Sequence, residues 1–168
     1  DVDSSSLSVA DVSVDAQYGT VTDNGDGSYS FTPAPDYNGN GVPLSFSVSD
    51  GSATTSGTAS IDVTAVNDAP VVGSVDLGST AEDTSVTFSA NDLLSNSSDV
   101  DSSSLSVGDV SVDAQYGTVT DNGDGSYSFT PAPDYNGNGV PLSFNVSDGS
   151  ATTAGTASID VTAVNDAP

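Results

Sequence analysis

The runs Gly117–Thr120 and Ser126–Thr130 flank the short loop Asp121-Asn122-Gly123-Asp124-Gly125. Two short runs that contain Thr, Val, Tyr and Phe, joined by a loop of Gly and Asn, are typical of a β-hairpin. The loop resembles a calcium-binding EF-hand loop only superficially, because it is too short and lacks the closing Glu. The stretch therefore predicts a pair of neighbouring antiparallel strands.

Strand-like patterns continue on both sides of this hairpin. A β-bulge is predicted near Gly108, where the apolar alternation changes phase, and one helical turn is predicted at Leu93-Leu94. Seven short strands with turns every ~8–12 residues predict an all-β fold, a seven-stranded antiparallel Greek-key β-sandwich. The predicted strands are 71–77, 84–90, 105–112, 117–120, 126–130, 142–146 and 157–163.

The chain repeats itself with a period of 98 residues, since residues 1–70 return as residues 99–168. Only three aligned pairs differ: Ala10/Gly108, Ser47/Asn145 and Ser56/Ala154. So close a repeat predicts a tandem array of folded modules. We interpret 71–168 as one complete repeat. Residues 1–70 are then an incomplete repeat that lacks the first two strands unless another segment or chain supplies them.

The charge of the chain excludes several classes of function. It has 168 residues, no Lys, Arg or His, and a formal net charge of -24. Contacts to phosphate need Lys or Arg, so we expect no nucleic-acid binding. Without Cys and His, the usual zinc sites, cysteine nucleophiles and Ser-His-Asp triads are excluded. No apolar run is long enough to span a membrane, and the missing starting Met indicates an internal part of a longer protein.

The negative charge of the chain also has to be neutralised if the chain is to fold. A chain of this charge repels itself, and no internal ion pair can offset the repulsion. Either the chain is disordered or a cation from solution neutralises it. The regular apolar alternation favours the second interpretation.

Several acidic segments are candidate calcium ligands. Asp99 and Asp101 alternate on an extended segment, so both carboxylates can point toward one hard cation. Glu82 is the only Glu of the chain and a candidate bidentate ligand. The alternative interpretations are solvated surface pairs and ordinary polar turns. The candidate ligands are Asn67, Asp68, Glu82, Asp83, Asp99, Asp101, Asp148, Asn165, Asp166, Asp1 and Asp3.

The unit resembles the bacterial cadherin-like (VCBS-type) tandem repeats of large calcium-dependent RTX adhesins. The matching elements span nearly the whole unit: Ala81-Glu82-Asp83-Thr84, Asn91-Asp92-Leu93-Leu94-Ser95-Asn96, Asp99-Val100-Asp101, Gly117-Thr118-Val119, Gly123-Asp124-Gly125-Ser126-Tyr127, Pro131-Ala132-Pro133-Asp134-Tyr135-Asn136-Gly137, Val146-Ser147-Asp148-Gly149 and Val164-Asn165-Asp166-Ala167-Pro168.

This resemblance implies an extracellular cadherin/Ig-like sandwich with calcium between consecutive modules. It implies that Asn67 and Asp68 share ions with Asp99 and Asp101 of the following module. Glu82 is expected to reach the C-terminal end of its own module, near the linker residues Asn165 and Asp166. The first acidic pair, Asp1 and Asp3, is expected to face an upstream linker.

We therefore expect a calcium-stiffened extender or spacer module of a large extracellular bacterial adhesin or surface fibre, whose partners are neighbouring repeats of the same chain. Two alternatives stay open: a subunit of a self-assembling extracellular filament joined by β-strand donation, and a glycan-binding adhesin module. Paired carboxylates also occur in glycoside hydrolases, but the chain has no Trp, no cationic group and no long cleft-forming loop. We expect no enzymatic activity.

Overall fold

The computed structural model describes residues 1–3 and 6–165, which form two compact units, one from Asp1 to Val66 and one from Asn67 onward. The first unit contains two antiparallel sheets. One has the strand order β1-β4-β5 and the other is the hairpin β2-β3. Its strands are β1 Ser8–Val14, β2 Gly19–Asp23, β3 Tyr29–Pro33, β4 Gly39–Ser49 and β5 Thr54–Val63.

The second unit contains the complete sandwich. A four-stranded sheet has the order β10-β13-β14-β7, a three-stranded sheet has the order β11-β12-β8, and β6 pairs with β9 in a separate two-stranded ladder. The two larger sheets hold seven strands, so the predicted seven-stranded β-sandwich is confirmed. The elements are β6 Val71–Val72, β7 Val75–Ala81, β8 Val86–Ser89, α1 Ala90–Leu93, β9 Ser97–Ser98, β10 Ser106–Val112, β11 Gly117–Asp121, β12 Ser126–Pro131, β13 Gly137–Ser147 and β14 Thr152–Thr162.

One strand pair departs from the predicted antiparallel arrangement. β7 runs parallel to β14, with Val75 beside Ala157 and Ala81 beside Thr162. The predicted first strand, 71–77, is divided in the structure into β6 and β7. Gly73 lies in the gap, where its amide donates to the carbonyl oxygen of Asn96. Apolar alternation specifies which side chains face the core, but it does not specify which strand is the neighbour.

The predicted local features of the second unit are present. The hairpin pairs β11 with β12, and α1 provides the helical turn that carries Leu93, which is fully buried. The register between β10 and β13 shifts between Gly108 and Ser111, which confirms the predicted bulge. Asp109 forms the bulge in a left-handed conformation, with φ of 53°. Asp is among the few residues other than Gly that tolerate this conformation.

The core of the second unit lies between its two sheets. Strand β13 contributes alternate apolar residues, and β14 does the same from the neighbouring position, as the period-2 pattern predicted. Ala163, which was predicted to continue the last strand, is exposed and lies beyond β14. The largest fully buried side chains of this core are Phe129, Phe144, Leu93, Leu142, Ile159, Val140, Val146 and Val161.

The same sequence is less buried in the first unit. Ile159 is 1% exposed in the second unit, whereas its equivalent Ile61 is 38% exposed. Phe129 is fully buried, while the equivalent Phe31 is only partly buried. The cause is the segment 71–98: β7 covers the edge of β14 and β8 covers the edge of β12 in the second unit alone.

Candidate metal centre

The linker residues Asn67 and Asp68 contact the acidic end of the second unit. The side-chain amide of Asn67 donates to Oδ2 of Asp148 at 2.9 Å. The main-chain amide of Asp68 donates to Oδ2 of Asp101 at 2.6 Å. The structure therefore brings four of the sequence-predicted ligands together at this end of the unit.

Asp99 lies beside this group and has one carboxylate oxygen without a partner. Its Oδ1 accepts the amides of Asp101 and Ser102 at 2.8 and 2.7 Å, which fixes the side chain in a tight turn. Its Oδ2 is buried and accepts no hydrogen bond, and the same holds for the hydroxyl oxygen of Ser97. A buried carboxylate oxygen without a donor or a cation is costly.

Asp148 is held in its turn by main-chain amides. Its Oδ1 accepts the amides of Ser150 and Ala151, each at 2.6 Å. These bonds favour the charged form. The pKa of Asp148 is lowered first by the amide of Ala151, then by the side chain of Asn67 and then by the amide of Ser150. The carboxylate is therefore ionised at neutral pH.

The first unit forms the same turns from the same residues. Oδ1 of Asp50, the equivalent of Asp148, accepts the amides of Ser52 and Ala53 at 2.7 Å each. Oδ1 of Asp1 accepts the amide of Asp3 at 2.6 Å, as Asp99 does with Asp101. The carboxylates are thus oriented by local sequence, and they do not depend on the linker contacts seen in the second unit.

Glu82 lies at the other end of the second unit. It is 5% exposed, and its Oε1 accepts the main-chain amide of Val164. Its Oε2 accepts the side-chain amide of Asn136 at 3.4 Å. Asn165 follows Val164 and is exposed, whereas Asp166 lies outside the described residues.

Asp83 has a backbone role at the same end. It is in the left-handed region with φ of 59°, and its Oδ1 accepts the amide of Asp134 at 3.4 Å. Asn136 and Asp134 were not among the sequence-predicted site residues. They belong to the corner Pro133-Asp134-Tyr135-Asn136-Gly137.

The carboxylates of Asp99, Asp101 and Asp148 form one group and those of Glu82 and Asp83 form another, and the length of β14 separates the two groups. This strand has 11 residues, from Thr152 near Asp148 to Thr162 near Glu82. At ~3.3 Å for each residue the separation is about 36 Å. The structure therefore divides the predicted ligands of this unit between two ends and brings none of one group into contact with the other.

Neither group is a complete metal site on its side chains alone. Within residues 1–3 and 6–165, no three acidic side chains gather closely enough to hold an ion. A cation beside Asp99 and Asp101 would also need amide and main-chain oxygens, which Ca²⁺ accepts readily among its six to eight oxygen ligands. None of the helices in the described part of the chain is long and apolar enough to cross a membrane.

Comparison with protein families gives one match that covers most of the chain. A family model described as "Cadherin-like domain" matches residues 1–64 and 66–162. No curated protein matches the chain.

Similar solved structures share little sequence with this chain. They include an endo-fucoidan hydrolase of glycoside hydrolase family 107 (22% identity, TM-score 0.43, 95% of this chain and 24% of that chain). The human desmocollin-1 ectodomain is 12% identical, with a TM-score of 0.48 over 95% of this chain and 34% of that chain. The surface layer protein SbsC is 15% identical, with a TM-score of 0.30 over 95% and 20%. The chain spans about a quarter of the length of the hydrolase.

Proposed function

The chain belongs to the cadherin-like domain family, and on that premise we propose that it is a calcium-stiffened extender module of a large extracellular adhesin or surface fibre. The family match favours a non-enzymatic module with an adhesive or spacer role. We also propose that the parent protein is a bacterial adhesin of the calcium-dependent RTX type, on the motifs of the VCBS-type repeat. The proposed partners are neighbouring repeats.

The observation that carries the calcium proposal is the environment of Asp99. Its Oδ2 is buried without a donor, next to a turn that already fixes Oδ1. The contacts at this end are made by the carboxylates of Asp99, Asp101 and Asp148 with main-chain amides and with the side-chain amide of Asn67, and no cationic side chain exists in the sequence to neutralise them. Hard oxygen donors without nitrogen or sulfur suit Ca²⁺.

The residues assigned to the ion at this end are Asp99 and Asp101, with Asp148 and the linker residues Asn67 and Asp68. At the other end, Glu82 and Asn165 are proposed to serve the next junction. The bound ion supplies positive charge that offsets the repulsion between these carboxylates. Ion binding that ties the linker residues Asn67 and Asp68 to Asp99 and Asp101 would then stiffen the linker.

The test is a thermal melt with excess CaCl₂ and with EGTA. We expect calcium to raise the midpoint, because an ion that binds only the folded state stabilises it. The double variant Asp99→Asn/Asp101→Asn should lose most of this rise. The double variant Asp121→Asn/Asp124→Asn removes the same charge from the hairpin loop and should keep the rise. Equal midpoints for the unmodified chain with CaCl₂ and with EGTA would refute the proposal.

A comparison of Mg²⁺ with Ca²⁺ distinguishes specific binding of calcium from general screening of the negative charge. Mg²⁺ demands a small octahedral site and keeps its waters, so we expect it to raise the midpoint less than Ca²⁺ at equal concentration. An equal effect of the two ions, retained in the Asp99→Asn/Asp101→Asn variant, would mean that the cations only screen charge.

A further inference from the structure

The chain contains six Asn-Gly pairs, three in each repeat. In the second unit they are Asn122-Gly123 in the hairpin loop, Asn136-Gly137 in the corner that leads into β13, and Asn138-Gly139 within the first residues of β13. An Asn that precedes Gly is prone to deamidation, because the main-chain nitrogen of Gly attacks the side-chain carbonyl carbon of Asn and no Cβ hinders its approach. The contacts of each pair therefore decide which of them reacts.

The hairpin pair is held at both reacting groups. The amide of Gly123 donates to Oδ1 of Asp121 at 2.8 Å. The side-chain amide of Asn122 donates to the hydroxyls of Ser126 and Ser128 at 2.8 and 3.1 Å. The hydroxyl of Ser128 donates back to Oδ1 of Asn122 at 3.2 Å. The side chain of Asn122 would lose these bonds if it turned toward the nitrogen of Gly123.

The corner pair is also held by contacts with other elements. The side-chain amide of Asn136 donates to Oε2 of Glu82 at 3.4 Å. Gly137 is paired with Val161 in the ladder between β13 and β14. Both partners of this pair are therefore fixed by the fold of the unit.

The side chain of Asn138 differs from these two. It is exposed, and it makes no hydrogen bond within residues 1–3 and 6–165. Gly139 is exposed as well, and in this part of the chain only its own neighbours lie within 4 Å of the place where a Cβ would stand. Its amide donates to Oδ1 of Asp160 at 2.7 Å. The protection of this pair therefore depends on the carboxylate of a residue on the adjacent strand β14.

This bond closes a β-bulge. The register between β13 and β14 shifts between Gly137 and Val140, so that Asn138 and Gly139 together face Asp160. Gly139 has a φ of 67°, in the left-handed region that favours Gly in such a bulge. The bulge thus requires Gly at a position where Gly also makes the preceding Asn reactive.

We propose that Asn138 is a latent deamidation site whose reaction is restrained by Asp160. The carboxylate holds the proton on the nitrogen of Gly139, and this nitrogen has to lose the proton when it attacks. In the reaction the nitrogen of Gly139 forms a bond to Cγ of Asn138, the Cγ–Nδ2 bond breaks, and ammonia leaves with the amide proton. Water then opens the cyclic imide. Cleavage of the new bond to Cγ gives Asp, and cleavage of the bond to the main-chain carbonyl carbon gives isoaspartate.

The first unit has the same arrangement. Asn40 is exposed, Gly41 has a φ of 71°, and the amide of Gly41 donates to Oδ1 of Asp62 at 2.7 Å. The restraint is therefore built into each repeat, and it depends neither on calcium nor on the segment 71–98. Either product would place a second carboxylate opposite the restraining Asp, and isoaspartate would also lengthen the main chain of the bulge by one carbon atom.

The experiment incubates the full chain at mildly alkaline pH in EGTA and follows deamidation by mass spectrometry. Cleavage before Asp residues releases the fragments 134–147 and 36–49, which differ in mass because Asn145 stands where the first unit has Ser47. The Asp product of Asn138 is cut once more at this position, whereas the isoaspartate product resists cleavage. The two fragments therefore report separately on the two units of one molecule.

The variant Asp160→Ala should deamidate at Asn138 about tenfold faster or more than the unmodified chain, because one charge-assisted hydrogen bond is lost. Asn40 in the same molecule should keep its rate. The variant Asp62→Ala should give the reverse pattern, with faster reaction at Asn40 and an unchanged rate at Asn138.

Two further variants separate the hydrogen bond from a general disturbance of β14. Asp160→Asn keeps an acceptor oxygen but loses the charge, and its rate should lie between those of the unmodified chain and Asp160→Ala. Ser158→Ala lies on the same face of β14 and should leave the rate unchanged. Hydrogen exchange of the Gly139 amide should become faster in Asp160→Ala and stay slow in Ser158→Ala.

Three results would overturn the proposal. The first is an unchanged rate at Asn138 in the Asp160→Ala variant. The second is an equal acceleration at Asn122 in that variant, because the whole unit would then have opened. The third is a rate at Asn138 in the folded, unmodified chain as high as the rate in urea, because the fold would then provide no restraint. EGTA is present throughout, so a failure of calcium binding leaves the result unaffected.

Discussion

Phe31 and Phe129 are the same residue in the same local sequence, but they differ in burial. Phe129→Ala should cost about 3–5 kcal/mol of unfolding free energy, because it empties a fully buried site. Phe31→Ala should cost less, since part of its ring is already in water. Urea unfolding of both variants measures the difference. Equal losses would mean that the first unit has a closed core.

Asp124 and Asp26 provide a second pair of equivalent residues. The pKa of each is lowered, first by the hydroxyl and then by the amide of the serine two residues later. Removing the hydroxyl in Ser126→Ala or Ser28→Ala should therefore raise the pKa of that carboxyl. Titration of the carboxyl carbon resonances by NMR measures it. Asp92 is the internal control, because Ser89 lowers its pKa, and it should not move.

The sign of the pH effect follows from these shifts. A carboxyl whose pKa is lower in the folded state stabilises the fold above its unfolded pKa of about 3.9. This stabilisation is lost as the pH falls through the folded value. The serine variants should therefore lose less stability than the unmodified chain between neutral pH and about pH 3. A larger loss in the variants would contradict the assigned donors.

Backbone roles of single residues could not be predicted from the sequence. Asp83, Asp109 and Asp134 all adopt positive φ. In the sequence they are acidic residues among many others. Nothing in the neighbouring residues distinguishes an Asp that binds a metal from an Asp that adopts positive φ in a turn. Conversely, the turn at Asp99 follows directly from its sequence, because Asp commonly accepts an amide two residues later.

At the scale of elements, the stability of α1 depends on hydrogen bonds at its N-terminus. The hydroxyl of Ser89 accepts the amide of Asp92, and the carboxylate of Asp92 accepts the amide of Ser89, which is a capping box. Ser89→Ala should cost about 1 kcal/mol of unfolding free energy of the second unit. Ser95→Ala, at an exposed position just after the helix, is the matched control and should be nearly neutral. Chemical denaturation followed by tyrosine fluorescence measures both, and equal effects of the two variants would contradict a capping role.

Most elements could be predicted because their signals are local. The hairpin, the helical turn and the bulge depend on loop residues and on alternation within a few positions. The parallel partner of β7 could not be predicted. Its apolar residues Val75 and Leu77 fit the edge of either repeat, and the sequence pattern contains no information on which edge is closer.

At the scale of the whole molecule, charge is the dominant property. With a net charge of -24 and no cationic side chain, repulsion acts throughout both units. Raising NaCl from about 0.05 to 0.5 M should raise the melting midpoint, because the Debye length falls from more than 10 Å toward 3 Å. CaCl₂ at the same ionic strength should raise it further. A midpoint that is insensitive to NaCl would contradict the repulsion argument.

The parallel pairing of β7 with β14 has a mechanical consequence. β7 enters the second unit from its N-terminal side at Val75, and β14 leaves toward the C-terminal side at Thr162. In a parallel pair these two points lie at opposite ends of the ladder. Tension between the unit's two ends therefore shears the strands, and the hydrogen bonds between them resist together instead of opening one after another. An antiparallel pair pulled from one end would unzip, so the parallel pair is the stronger arrangement against tension between the two ends of the unit.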